Sequence, residues 1–325
     1  MKSGNSNTSL KEIASMLKSA QKILILTHER PDGDTLGSAF AIKHSLKGKD
    51  VRVICASPIP PRLSFICGDE RELTLDENFD PDLVVAVDAA EIGMMGEYGK
   101  RFEGKFDIKI DHHRTSVTYA KYNYIDYDTA ACCEIIYPLA RLLGDMTNET
   151  ALALYTGIST DTGCFKFRNV SAQTHRIAAD LMEFDFDVGK VNNRLFECKT
   201  PSEITATKVA LNSLKIHENG KIALVCFSNE IKTANGLSDE DLSALNSLPR
   251  EIDGVELGIT VKQIDGSDTR YKVSMRSGEK VDVSALCAKF GGGGHLRAAG
   301  CEIEAASASE AEKIILDTVK DSVKY

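Results

Sequence analysis

Three short apolar runs in the first half of the chain each break off on acids or histidines. Lys22 to Thr27 opens onto His28-Glu29-Arg30-Pro31-Asp32-Gly33-Asp34, Leu83 to Val87 onto Asp88, and Phe106 to Ile110 onto Asp111-His112-His113. Runs of this length and content predict strands. Between and after them the pattern changes to helical spacing. Thr35 to Lys47 is predicted as a helix, with Leu36, Phe40 and Leu46 among its apolar positions and Asp34 or Thr35 as N-cap. Val51 to Ala56, Asp82 to Ala89 and Asp107 to Ile110 read as strands, Ala131 to Leu143 as a helix. A second helix, Glu149 to Ser159, leads into Thr160-Asp161-Thr162-Gly163. Strands alternating with helices predict an α/β protein whose N-terminal domain is a doubly wound, mainly parallel sheet. In such a sheet, ligands bind beyond the carboxyl ends of the strands, so the acids and histidines converge there.

The remainder has a different texture. From about Thr174 to Lys215 the pattern is mostly helical, with polar punctuation at Lys199-Thr200-Pro201-Ser202. Strands follow at Ile222 to Phe227, Val255 to Gln263 and Arg270 to Met275, then a helix near Ser284 to Phe290. After it come Gly291-Gly292-Gly293-Gly294-His295 and an amphipathic helix from Ser307 to Val323. The expected domains are residues 1–190, a helical linker over 191–215, and a smaller α/β domain over 216–325.

Length agrees with two domains, since 325 residues exceed what one core usually supports. The content is that of a soluble globular protein, 42% hydrophobic and 27% charged, without an apolar stretch near the roughly 20 residues of a membrane span. Met1 to Leu10 lacks the basic region and apolar core of a secretory signal. The nine cysteines are odd in number and contain no Cys-x-x-Cys pair, so neither a disulfide framework nor a thiolate zinc site is expected. A cytoplasmic location follows as the expectation. The net charge of −9 disfavours long duplex nucleic acid, whose non-specific binding rests on neutralising many phosphates, but leaves short phosphate ligands open.

Carboxylates and imidazoles meeting in one crevice imply metal. Asp32 and Asp34 flank Gly33 and can serve two neighbouring ions, with Asp88 bridging them, His28 completing one shell, and His112 and Asp161 the other. Four carboxylates balance two divalent cations, whereas four buried acids alone would be very costly. Oxygen and imidazole ligands suit manganese, and also magnesium, cobalt or iron. Two such ions activate water for displacement at phosphorus, so the indicated reaction is phosphoester hydrolysis. Taken singly, each feature has a plainer explanation. An Asp at a strand end is usually a turn residue or helix cap, adjacent histidines are usually structural, and Asp-Gly-Asp is a common turn. The joint occurrence of four such segments in one order favours the site.

That set of residues resembles the DHH phosphoesterases. Asp111-His112-His113, His28-x-x-x-Asp32-x-Asp34, Asp88 and Asp161 match the family's four motifs. Gly291 to His295 with Ala298-Ala299-Gly300 matches the glycine-rich signature of its associated C-terminal domain. The resemblance covers nearly the whole chain and implies an active site in the cleft between the domains. It further implies one metal on His28, Asp32 and Asp88, the other on Asp34, Asp88, His112 and Asp161. His113 would lie beside the scissile phosphate, and Asp111 would orient the histidines. Glu29 stands where a small or aliphatic residue is usual, and alternation turns it away from the ligands.

Substrate contacts are expected from His113 and from Gly292, Gly293, Gly294 and His295, whose backbone can form an anion nest. Arg276 can clamp phosphate or stack on a base, and Arg114 can meet phosphate. The ordinary readings are a flexible glycine loop and two solvated arginines. By size and domain content the chain is similar to family members that degrade short single-stranded RNA to nucleoside 5′-monophosphates and hydrolyse 3′-phosphoadenosine 5′-phosphate (pAp). The sequence leaves the quaternary state open, and the resemblance is compatible with a homodimer. The alternatives are a phosphodiesterase for pApA or cyclic di-AMP, a family II inorganic pyrophosphatase, and a nucleotide-binding protein without catalysis.

Overall fold

Five parallel strands carry the first part of the chain: β1 (Lys22–Leu26), β2 (Asp50–Ile54), β3 (Leu83–Val87), β4 (Ile108–Asp111) and β5 (Tyr122–Ile125). Their order is β2-β1-β3-β4-β5. The computed structural model describes residues 6–70 and 73–323, so part of the Met1 to Leu10 segment lies outside the described residues. The chain divides into two units, Met1–Cys198 and Lys199–Tyr325.

Alternation along the strands of unit 1 separates two cores. Ile23, Ile25, Val85, Val87, Ile108 and Ile110 face one, Leu24, Leu26, Val84 and Ala86 the other. The helices of this unit are α1 (Leu10–Ser19), α2 (Gly33–Ser45), α3 (Gly96–Arg101), α4 (Cys132–Leu143), α5 (Asn148–Asp161), α6 (Ala172–Leu181) and α7 (Val188–Asn192). Helices α1, α2, α4 and α5 cover the first core through Leu17, Phe40, Leu139 and Leu154. Helix α2 is buried without interruption from Gly33 to Ile42, as befits a helix enclosed by its neighbours. Its cap is Asp32, a correction to Asp34 or Thr35. The Asp32 Oδ1 atom accepts from the backbone N–H groups of Asp34 and Thr35, each at 3.0 Å, because Gly33 already begins the helix.

Unit 2 holds α8 (Pro201–Ser213), β6 (Lys215–His217), β7 (Ile222–Phe227), α9 (Asn229–Asn235), β8 (Leu257–Gln263), β9 (Arg270–Ser277), α10 (Val283–Ala288), β10 (Gly293–His295), β11 (Ala298–Glu304) and α11 (Ala308–Val319). The strands form one mixed sheet in the order β10-β11-β9-β8-β7-β6, with β7 and β8 parallel. The glycine run is therefore not a free loop. Gly293–His295 pairs antiparallel with residues 298–300. A Cβ on Gly292 would lie 2.3 Å from the Gly300 carbonyl oxygen, and one on Gly294 2.6 Å from that of Ala298, so close backbone approach explains both glycines. Gly293 faces open space. Among the described residues, no helix is long and apolar enough to cross a membrane.

Candidate active site

Strand order decides where the chemistry collects. β2 lies on one side of β1 and β3 on the other, so the strand order reverses there, the place where such sheets open a crevice beyond the strand ends. His28 and Asp32 follow β1, and Asp88 follows β3. The His28 Nε2 atom lies 3.5 Å from Asp32 Oδ2 and 3.5 Å from Asp88 Oδ2. The other Asp88 oxygen, Oδ1, lies 3.4 Å from His112 Nε2, which is also 3.6 Å from Asp34 Oδ2 and 3.5 Å from Asp161 Oδ2. All six residues expected as metal ligands thus meet. Ligand atoms of His28, Asp32 and Asp88 lie within 4.8 Å of one another, as do those of Asp34, His112 and Asp161 and those of Asp88, His112 and His113.

Local structure fixes these side chains. Asp88 adopts φ 54°, a left-handed conformation that side chains rarely take and that sets its carboxylate across the two groups. Asp34 is fully buried. Its Oδ2 and Oδ1 accept from the backbone N–H groups of Cys132 and Cys133, at 2.6 and 2.8 Å, in the first turn of α4. Helix termini leave such donors free, and their partial positive charge holds an anion. The space is narrow: a Cβ on Gly157 of α5 would lie 3.0 Å from Asp34 Oδ1 and 2.3 Å from Cys133 Sγ. His112 Nδ1 lies 3.5 Å from the Thr129 carbonyl oxygen, a partner that takes an N–H from Nδ1 and sets Nε2 as the ring atom facing the carboxylates. Asp161 ends α5 and remains partly exposed.

Electrostatics test whether cations fit. Asp88 Oδ1 is buried and accepts no aligned hydrogen bond, an orphaned anionic oxygen. Burial lowers the His28 imidazole, but the Asp32 and Asp88 carboxylates outweigh it and raise it to about 10. His112 is likewise lowered by burial and raised to about 10 overall by Asp88, Asp34 and Asp161. Burial and then Asp88 push Asp34 up to about 7, and burial and then Asp34 push Asp161 up to about 9. Burial also pushes Asp88 up, yet His112 and His28 hold it well below the usual carboxylate range. Protons gather where the acids crowd, the mark of a site short of positive charge. Divalent cations would supply that charge, and the donors present fit them.

His113 belongs to the third of the three-residue sets, with its Nδ1 3.7 Å from Asp88 Oδ1, and is absent from the two that hold the six expected ligands. Its Nδ1 lies 2.8 Å from Asp111 Oδ1, which leaves Nε2 free. Asp111 is fully buried, accepts from the Ser116 hydroxyl and lies 3.5 Å from Lys109 Nζ. Lys109 was absent from the sequence-based set. It is buried, donates to the carbonyl oxygens of Ala90 at 2.9 Å and Val117 at 2.6 Å, and to Ser116 Oγ at 2.5 Å. A lysine between Ile108 and Ile110 in a buried strand was the available signal, because a cation there needs partners.

The remaining expected contacts divide between the two units. Arg114 is exposed, over the Tyr127 ring at 5.0 Å and 4.0 Å from Asp128. Arg276, in β9 of unit 2, is half-buried and donates to its neighbour Met275 O at 3.0 Å. The His295 side chain lies outside the described residues. Glu29 is exposed, with its carboxyl carbon 3.2 Å from where a Gly96 Cβ would stand.

A parallel sheet whose switch point gathers four aspartates and two histidines around one shared carboxylate defines a class, and the chain belongs to the DHH family. Residues 22–158 match the DHH family N-terminal domain, and residues 219–324 match the DHHA1 domain. Among curated proteins it is 29% identical over 314 residues to the Thermus thermophilus bifunctional oligoribonuclease and PAP phosphatase NrnA, covering 96% of this chain and 93% of that one. It is 30% identical over 301 residues to a Streptococcus mutans protein named "Probable bifunctional oligoribonuclease and PAP phosphatase NrnA", covering 90% and 93%. The fold is shared with an exopolyphosphatase-related protein from Bacteroides fragilis, at TM-score 0.87, 23% identity and coverage of 96% and 95%.

Proposed function

We infer that this protein is a metal-dependent phosphoesterase that hydrolyses short oligoribonucleotides to nucleoside 5′-monophosphates and pAp to AMP and phosphate. The observation that carries the reading is Asp88, whose two carboxylate oxygens each face a different histidine-containing group. The relatives' oligoribonuclease and PAP phosphatase names support the substrate class.

His28, Asp32 and Asp88 would hold one ion, and Asp34, Asp88, His112 and Asp161 the other, with manganese the best match to this oxygen and imidazole set. Bound there, a pair of divalent ions lowers the pKa of water and neutralises charge developing on phosphate oxygens. The chain's own contribution is orientation and proton placement. Asp111 engages His113 Nδ1, which leaves Nε2 as the ring atom available to a substrate. A protonated Nε2 donates to the departing oxygen or to a non-bridging phosphate oxygen. Burial raises the Asp111 carboxyl, but His113 outweighs it and keeps it ionised, which in turn holds the His113 imidazole up. Further substrate contacts are assigned to Arg114 in unit 1 and to Arg276, Gly292, Gly293, Gly294 and His295 in unit 2.

A product time course on a labelled trinucleotide and on pAp, run with manganese, with magnesium and with chelator, tests reaction, substrate and cofactor together. The expected result is metal-dependent release of mononucleotides and of AMP, abolished by chelator. Release of phosphate from pyrophosphate alone would overturn the assignment.

A further inference from the structure

Asp161 is followed by a tightly folded loop that the metal site does not explain. Gly163, Cys164 and Phe165 take φ values of 56°, 59° and 62°, three consecutive left-handed residues of which two carry side chains. Buried Thr162 holds the loop closed. Its hydroxyl donates to the Ile158 carbonyl at 2.6 Å and accepts from the Phe165 N–H at 3.0 Å. Its carbonyl accepts from the N–H groups of Lys166 at 2.9 Å and Phe167 at 3.0 Å. Asn169 ties the far end to the Asp161 and Ala130 carbonyls, each at 3.0 Å.

The reversal sends two phenylalanines in opposite directions. Phe165 turns inward, stacked on His175 with ring centroids 5.4 Å apart. Phe167 turns outward. Its ring lies against Gly163, where a Cβ would come within 2.3 Å of Cζ, so any side chain at 163 would displace it. Of the chain's 12 phenylalanines it alone is exposed, at 56%. One face of the ring rests on backbone and the other meets solvent. Two virtual bonds separate Gly163 from Asp161, which puts the ring's support within about 7.6 Å of that residue's Cα. Exposed Lys166 precedes the ring and exposed Arg168 follows it, so the stretch 165–168 interleaves aromatic and cationic side chains.

We propose that the solvent face of Phe167 is a stacking platform for a nucleobase of the substrate, and that it sets the preference for nucleotides over base-free phosphate esters. The proposal rests on the phosphoesterase reading of the adjacent site. Stacking on a fixed aromatic ring is tolerant of base identity, which suits an enzyme that meets oligonucleotides of any sequence. A rigid loop presents the ring ready-placed, so little ordering is needed when a base arrives.

The test compares pAp with its base-free analogue, 1-deoxyribofuranose 3,5-bisphosphate. The ratio of kcat/KM for pAp over the analogue falls about tenfold in Phe167→Ala, a change equivalent to ~1.4 kcal/mol, and Phe167→Trp restores it. An unchanged ratio overturns the proposal. The chain has no tryptophan, so Phe167→Trp also supplies a single fluorophore at the site. AMP should quench it and ribose 5-phosphate should not. Equal quenching by both, or by neither, overturns the platform. Base-specific quenching in a protein that hydrolyses neither substrate would leave the platform standing and remove the phosphoesterase reading.

Discussion

In unit 1 all five strands run the same way, so the ends of β1, β3 and β4 deliver His28, Asp88 and Asp111 to one edge of the sheet. In unit 2 only β7 and β8 are parallel, and neighbouring strands end at opposite edges. Every group with metal-ligand geometry among the described residues belongs to unit 1. Unit 2 offers glycines, backbone and single cations instead. Parallel strands concentrate charge that needs a counter-ion, whereas an antiparallel arrangement spreads side chains and exposes main-chain donors suited to contact without catalysis.

The largest effect expected from this contrast is at Asp88. Asp88→Asn should lower kcat by more than about a thousandfold, beyond the loss of one donor in a preorganised site, because a single substitution weakens both ion positions. Near wild-type, manganese-dependent hydrolysis by this variant would break the assignment of the chemistry to unit 1. Next is Lys109→Met, which leaves Asp111 without its buried cation and the Ala90 and Val117 carbonyls without a donor. Unfolding free energy from urea titration should drop by about 3 kcal/mol, and a change under about 0.5 kcal/mol would mean that the lysine is dispensable. The smallest effect belongs to unit 2. Gly293 has open space around it, so Gly293→Ala should change stability by no more than about 0.5 kcal/mol. It should raise the KM for pAp by about fivefold, the equivalent of one net hydrogen bond. An unchanged KM would remove Gly293 from the substrate contacts.

Much of unit 1 was legible in the sequence because its signals are local. Continuous apolar runs read as strands, and β1, β3 and β4 lie within one or two residues of the expected ends. His28, Asp32, Asp34, Asp88 and His112 stood out as polar chemistry placed just past strand ends, and Asp161 at the close of a helical pattern; the structure brings the six together. The cap of α2 was misplaced because Asp32, Asp34 and Thr35 are all capable caps, and only the helical conformation of Gly33 selects among them. Residues 293–295 and 298–304 were harder. Gly and Ala carry little strand propensity, and their pairing depends on contact between backbones that sequence pattern does not report. Lys109, Cys132 and Cys133 escaped for a related reason. Lys109 serves through partners brought near by the fold, and the cysteines serve through backbone N–H groups that any residue possesses.

Gly157 carries no functional group, yet α5 presses it toward the Asp34 carboxylate and ends on Asp161 four residues later. A methyl there would lever the helix outward and shift one ligand relative to another. The spacing between Asp34 and Asp161 is thus governed by an inert position inside a helix, where bulk alone can alter the geometry while every acid and imidazole stays in the sequence.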